Sequence, residues 1–342
     1  LGSYPASDPQ WLGMLGMHGT YEANNAMHDC DVMINLGARF DDRITGRLNA
    51  FSPNSRKIHV DIDPSSINKN VRVEIPIIGD VGNVLADMLH VWKAEKPKTD
   101  KAALKTWWAQ IDKWRSRNSL AYRNSRDVIM PQYAVERLYE ATKGRDTFIT
   151  TEVGQHQMWA AQFIKYEHPN TWLNSGGLGT MGYAVPAAMG AKVGRPDATV
   201  WAIDGDGCFQ MTNQELATCT INDIPIKVAL INNGNLGMVR QWQTLFYNER
   251  YSNTDLHTSH NQQRIPDFVK LGDAYGCASW RVERPEEVDE AIIKALEIND
   301  RPVVIDFVVH RDAMVWPMVP AGVSNDKILI ARGGAPLWER EA

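Results

Sequence analysis

Cysteine is scarce: four residues in 342, Cys30, Cys208, Cys219 and Cys277, with no C-x-x-C pair. That excludes a disulfide framework and a zinc ribbon, and it predicts a reducing, cytoplasmic setting. An excess of charge is also lacking. The formal net charge is −5 and the Lys and Arg residues are scattered, so nucleic acid is not an expected partner. No apolar run approaches the roughly 18 residues that span a bilayer, so no membrane partner is expected either. Internal repeats and low-complexity tracts are absent, and residues 1–95 carry no G-x-G-x-x-G fingerprint. The chain opens at Leu1, not Met, without a signal-peptide pattern. Its early run "WLGMLGMHGTYEANNA" reads as the middle of a longer protein.

What is present is an alternation of strand and helix signals. "DVMINLG" (31–37), "KIHVDID" (57–63) and "IPIIGD" (75–80) read as strands. A helix pattern follows in "VGNVLADMLHVW", with Asp80 placed to cap it. Residues 96–130 shift in composition and read as a linker with a Trp-rich helix. Trp107, Trp108 and Trp114 at roughly helical spacing are expected to be packing anchors rather than ligand contacts. A second unit spans 131–342. "PQYAVERLYEATKG" opens with Pro and closes with Gly, as helices do. "DTFITTEVG", "ATVWAIDGDG", "IKVALINNG" and "RPVVIDFVV" read as strands, with helix patterns at 182–193, 212–221, 266–275 and 285–298. The strands lack clean polar alternation, which suits strands buried on both faces. The expected fold class is α/β, with parallel sheets covered by helices on both faces.

Two of these strands end in short polar clusters, Gly205-Asp206-Gly207 and Asn232-Asn233, with 24 residues between Gly207 and Asn232. Either alone is an ordinary turn pair. Together, at strand ends where open parallel sheets bind ligands, they offer one carboxylate plus amide and backbone oxygens. That is too little negative charge for a tight calcium cage. It suits Mg²⁺, which takes few protein ligands and completes its shell with phosphate oxygens and water. A phosphorylated cofactor is therefore expected. Thr212-x-x-Glu215 reads as a capping box, starting a helix just after the N–H groups of Gly207 and Cys208.

GDG, two dozen residues, then NN resembles the thiamine diphosphate signature. "EVGQHQMWAAQ", "SGGLGTMGYAVPAAMGA", "GDGCFQMTNQEL" and "NLGMVRQWQ" narrow the resemblance to the acetohydroxyacid synthase (acetolactate synthase) catalytic subunits. "LGMLGMHGTYEANNAMHDCDVMINLGARFDDRITG" resembles that family's FAD-binding central domain. The resemblance implies a partial central domain over 1–95 and a thiamine diphosphate/Mg²⁺ domain over 131–342. It implies metal ligands Asp206 and Asn233 by side chain and Asn235 by backbone carbonyl. Cofactor contacts would come from Gln155, His156, Gly177, Leu178, Met181, Gly207 and Cys208. Met181 would wedge beneath the bent cofactor, although a Met there by itself reads as core filler. Trp242 would shape the second-substrate pocket. Arg43 would hold the second substrate's carboxylate; its alternative is a salt bridge to Asp41 or Asp42. Gly37 and Asp61, each after a strand, suit dinucleotide contacts. The resemblance adds Met17, His18, Arg39, Gly79 and Asp80 to this FAD set.

The implied reaction decarboxylates pyruvate and joins its two-carbon unit to a second 2-ketoacid, pyruvate or 2-ketobutyrate, in branched-chain amino-acid biosynthesis. A homodimer of catalytic subunits and a regulatory small subunit are the implied partners. Two departures stand out. Cys208 occupies a position that is usually Ser, where the backbone N–H can still serve phosphate. The glutamate that activates the cofactor in this family lies in an N-terminal domain, and no glutamate here matches it. The chain by itself is therefore expected to hold cofactor without turnover. Another thiamine-dependent carboligase or oxidase is the alternative activity.

Overall fold

In the computed structural model, residues 1–256 and 265–331 are described. They form two compact units that interleave in sequence. One comprises Leu1–Trp11 and Tyr122–Val315; the other comprises Leu12–Ala121 and the stretch from Trp316 on.

The second of these units holds a three-stranded parallel sheet, β1 (Val32–Leu36), β2 (Arg56–Asp61) and β3 (Ile75–Ile78), in that order. Helix α1 (Tyr21–Asp29) precedes it, capped by the Thr20 hydroxyl, which accepts from Ala23 N. A single turn, α2 (Asp42–Thr45), is capped by Asp41. Helix α3 (Val81–Glu95) is capped by Asp80 as the sequence predicts: its carboxylate accepts from Asn83 N. In α4 (Lys101–Arg115), Trp114 packs with Ile111 and Ala26, and Trp107 meets its ring edge-on at 5.7 Å. The tryptophans are packing anchors.

The larger unit is a six-stranded, fully parallel sheet in the order β5-β4-β6-β7-β9-β8. Its strands are β4 (Thr147–Thr151), β5 (Trp172–Asn174), β6 (Thr199–Gly205), β7 (Lys227–Asn232), β8 (Ala278–Val282) and β9 (Val303–Val308). Its helices are α5 (Pro131–Thr142), α6 (Gln155–Phe163), α7 (Ala184–Gly194), α8 (Asp206–Thr212), α9 (Glu215–Ile221), α10 (Gly237–Phe246), α11 (Phe268–Ala274) and α12 (Val288–Glu297). One core gathers α5, α6 and α12 around Trp159, Trp201 and Phe307. The other gathers α7, α9 and α11 around Phe209, Leu230 and Phe268. Helices thus cover both faces, and every residue of β7 is buried. Each fully buried Leu, Ile, Val or Phe contributes roughly 1.5–3 kcal/mol of transfer free energy. Even Lys227 is inside. Its Nζ donates to Ile298 O at 2.7 Å, and burial lowers its pKa to about 8.

The order of the sheet positions the site. The chain leaves β4 for β5 on one side and leaves β6 for β7 on the other. The carboxyl ends of β4 and β6 therefore flank a topological switch point, where open α/β sheets form their ligand crevice. Among the described residues no helix is long and apolar enough to cross a membrane.

Candidate active site

A cavity of about 220 Å³ opens at the ends of β4, β6 and β7. It brings together Gln155, His156, Met181, Asp206, Gly207, Cys208, Asn233, Asn235 and Trp242. Three helices begin here, α6 after β4, α8 directly out of β6 and α10 after β7, and none has a side-chain cap. Uncapped helix starts leave N–H groups and the positive end of the helix dipole available to an anion.

The helix start after β6 differs from the expected one. No capping box forms at Thr212 and Glu215. The helix begins at Asp206, Thr212 closes it and its hydroxyl donates to Gly182 O at 2.9 Å, and Glu215 opens a separate helix. The carboxylate of Asp206 takes over local N–H satisfaction. Its Oδ1 accepts from Gly207 N at 3.0 Å and its Oδ2 from Gly234 N at 2.6 Å. Asp206 is 2% exposed, and burial pushes its pKa up to about 7 despite these bonds. A cation beside it would reverse that penalty.

The amides complete an oxygen-rich corner. Asn233 Nδ2 donates to Gln155 Oε1 at 3.1 Å, while Asn233 Oδ1 accepts from Asn235 N at 3.0 Å. Asn235 Oδ1 is buried with no partner. One carboxylate, amide oxygens and an orphaned buried oxygen fit a hard divalent ion of the Mg²⁺ type.

His156 sits between two glycines. A Cβ on Gly154 would lie 2.7 Å from its Cε1, and one on Gly205 would lie 2.7 Å from its Nδ1. Gly154 also holds φ +154°, which side chains disfavour. The ring is buried, its Nε2 has no hydrogen-bond partner, and burial lowers its pKa to about 4. It is neutral at physiological pH and keeps an N–H for an anionic ligand.

Sequence reasoning missed Glu152 and Asp204, both fully buried beneath the cavity. Glu152 Oε2 accepts from Tyr183 N at 2.7 Å. Burial, reinforced by the Glu152 carboxylate, raises Asp204 well above the usual carboxylate range. Glu152 thus ties the end of β4 to the entry of α7, just after Met181. A carboxylate inside an apolar strand, as in "WAIDG", is the signal that could have flagged Asp204.

Other expected residues fall as follows. Met181 lines the cavity, its Cε 3.9 Å from where a Cβ on Gly207 would stand. Trp242 lies on α10 and lines the same cavity. Cys208 is buried in the first turn of α8, and its thiol donates to Val153 O at 3.1 Å. Gly177 and Leu178 are not brought to the cavity: both are exposed, Leu178 by 90%. They sit on the turn between β5 and α7. Arg43 belongs to α2 in the other unit, with Asp42 Oδ2 at 3.8 Å and Met17 Sδ at 3.8 Å from its Nη1.

In that unit, Gly37, Arg39, Asp61, Gly79 and Asp80 all follow or end the three parallel strands. Gly37 holds φ +64°, and Asp61 Oδ1 accepts from Asp63 N at 2.8 Å. Met17 and His18 belong to the loop before α1. Met17 O accepts from Val319 N at 2.7 Å, and His18 Nδ1 donates to Pro317 O at 2.9 Å. Burial, with a smaller push from Arg43, lowers the His18 pKa to about 4.

Two buried neutral histidines make stability sensitive to acid. Both folded pKa values, about 4, lie below the ordinary value near 6.5. Between pH 6.5 and 4 the unfolded chain binds protons that the folded chain does not. Stability is fully present above pH 6.5 and falls as pH drops through 4. Each histidine accounts for about 3 kcal/mol at most. Thermal midpoints of His18→Gln and His156→Gln should fall less steeply over this window than those of the wild type. Parallel slopes would contradict the assignment.

This fold and this corner define a cofactor-binding α/β protein, and comparison with known proteins agrees. Residues 152–307 match the thiamine pyrophosphate enzyme C-terminal TPP binding domain, and residues 1–88 match the central domain of the same enzymes. The chain belongs to the thiamine pyrophosphate enzyme family. Within it, the chain is 56% identical to an acetolactate synthase of Mycobacterium leprae, over 100% of this chain and 54% of that protein. It is 54% identical to the acetolactate synthase large subunit of Corynebacterium glutamicum, over 99% of this chain and 54% of that protein. With the acetolactate synthase isozyme 3 large subunit of Escherichia coli the identity is 43%, over 97% and 57%. The chain spans about half the length of the curated relatives it matches.

Proposed function

We propose that this chain is the cofactor-holding part of an acetolactate synthase. The observation that carries the reading is the corner of Asp206, Asn233 and Asn235 beside the cradled, neutral His156. Asp206, Asn233 and the Asn235 carbonyl would hold Mg²⁺, and Gln155 and His156 would reach the diphosphate it binds. When bound, thiamine diphosphate supplies the electron sink for decarboxylating a 2-ketoacid. The chain's own residues bind and orient it. Three uncapped helix starts favour its negative charge, Met181 and Trp242 wall the cavity with apolar surface, and Glu152 holds the backbone entering α7.

FAD is proposed for the other unit, where the Gly37 and Gly79 backbones and Asp61 stand at the ends of parallel strands. The names of the relatives as large subunits support a small-subunit partner, and a homodimer of catalytic subunits is proposed with it. Arg43 is proposed to hold the second 2-ketoacid and Trp242 to shape its pocket. An extra methylene in such a pocket is worth only about 1–3 kcal/mol, so both pyruvate and 2-ketobutyrate should be accepted. The test is product analysis of the full-length protein with thiamine diphosphate, Mg²⁺ and pyruvate, with and without 2-ketobutyrate. The expected products are acetolactate and, with 2-ketobutyrate, the acetohydroxybutyrate product. Free acetaldehyde or acetyl phosphate as the main product would overturn the reading.

A further inference from the structure

We infer that Arg240 is a positioning residue for the metal-binding loop, acting through Asp255. The inference rests on the proposed metal role of Asp206, Asn233 and Asn235, and it extends that site to residues outside the cavity lining.

The loop 233–236 is braced from outside as well as by its own hydrogen bonds. A returning segment, 254–256, lies antiparallel beside it. Leu236 N donates to Thr254 O at 2.8 Å and Leu256 N donates to Gly234 O at 3.0 Å, with Asn235 opposite Asp255. In an antiparallel pair, alternate residues turn their N–H and C=O groups to opposite sides. Because Gly234 and Leu236 face the 254–256 segment, Asn235 turns its own N–H and C=O away from it. Its N–H accordingly meets Asn233 Oδ1. The bridge thus aims the Asn235 carbonyl towards the metal side of the loop.

Arg240 fixes the bridge. It stands on the first turns of α10, the helix that the loop enters. Its Nη1 donates to Asp255 Oδ1 at 3.2 Å, its Nη2 donates to Asp312 Oδ1 at 2.9 Å, and its guanidinium lies 3.9 Å from the centre of the Tyr251 ring. Arg311 adds a second contact to Asp255 at 2.8 Å. The Arg240 side chain is only 13% exposed, while Asp255 and Asp312 are 46% and 60% exposed. A planar, multidentate guanidinium can join three segments at once, which an ammonium cannot. The result is a path from α10 through Asp255 to the backbone that presents Asn235.

Calorimetric titration of Mg²⁺ into the full-length protein with fixed thiamine diphosphate tests this. Arg240→Met and Asp255→Asn should each raise the half-saturating Mg²⁺ concentration about ten- to a hundredfold, the range for outer-shell partners of metal ligands. Thiamine diphosphate affinity at saturating Mg²⁺ should change far less, a split that general loosening of the fold would not give. The double variant should be no worse than the weaker single one, and Arg240→Lys should recover only part of the loss. A shift under twofold in a variant whose melting curve remains cooperative would overturn the role of Arg240. So would additive effects of the two substitutions. If Arg240→Met does not fold, Asp255→Asn carries the same test. A wild type indifferent to Mg²⁺ would overturn the metal reading itself, and this inference with it.

Discussion

Asp206→Ala is expected to abolish Mg²⁺-dependent binding of thiamine diphosphate. Asp206 is the single carboxylate among the proposed ligands, and its oxygens already converge on the loop through Gly207 N and Gly234 N. Removing one member of a buried charge pair costs about 3–5 kcal/mol, a hundred- to several-thousandfold in affinity. Asp206→Asn is the sharper form, since an amide oxygen can still accept from Gly234 N while the charge is gone. The two losses should be similar if charge decides. Without metal the asparagine variant should melt no lower than the wild type, because burial holds the carboxylate near pKa 7. Titration calorimetry for affinity and thermal melting for stability read the two effects separately. An Asn variant that binds like the wild type would place the metal elsewhere.

Gly237→Ala is the second large effect. Gly237 opens α10, and a Cβ there would overlap Gln155 Oε1 and stand 2.6 Å from Asn233 Nδ2. Those two atoms are hydrogen-bonded to each other. The methyl must push apart a proposed diphosphate contact and a proposed metal ligand. Displacements near 1 Å at a reacting site cost on the order of a hundredfold, so cofactor affinity should fall about ten- to a hundredfold. Gly190→Ala is the control. It lies within α7, where an added Cβ meets nothing within 4 Å, and replacing a helical glycine stabilises by about 1 kcal/mol. Equal affinities for the Gly237 and wild-type proteins in the same titration would contradict the geometry of the corner.

Much of the scaffold was legible in the sequence because its strands are apolar runs punctuated by polar clusters. That pattern located β1 to β4, β6, β7 and β9, and it located Asp206 and Asn233 at strand ends. It missed β5 and β8, the two edge strands of the large sheet. β5 has only three residues, and β8 carries the half-exposed Arg281 within a mixed burial pattern, so neither offers a period to read. It misplaced the helix after β6 because Asp206 enters a helix straight from a strand, without a side-chain cap. It missed Glu152 and Asp204 because a carboxyl pair is intelligible only once two strands are neighbours. Strand order is set by long-range packing, and so is the interleaving of the two units. Gly177 and Leu178 are exposed and lie outside the cavity lining, so their glycine-rich pattern by itself did not locate the cavity.

The central claim is that the ends of β4, β6 and β7 bind a diphosphate through a divalent ion. Titrating thiamine diphosphate into the full-length protein by calorimetry, with Mg²⁺ and then with EDTA, tests it most directly. The account predicts one site per chain in Mg²⁺ and loss of that binding in EDTA. Equal binding in both buffers, or none in either, would contradict it.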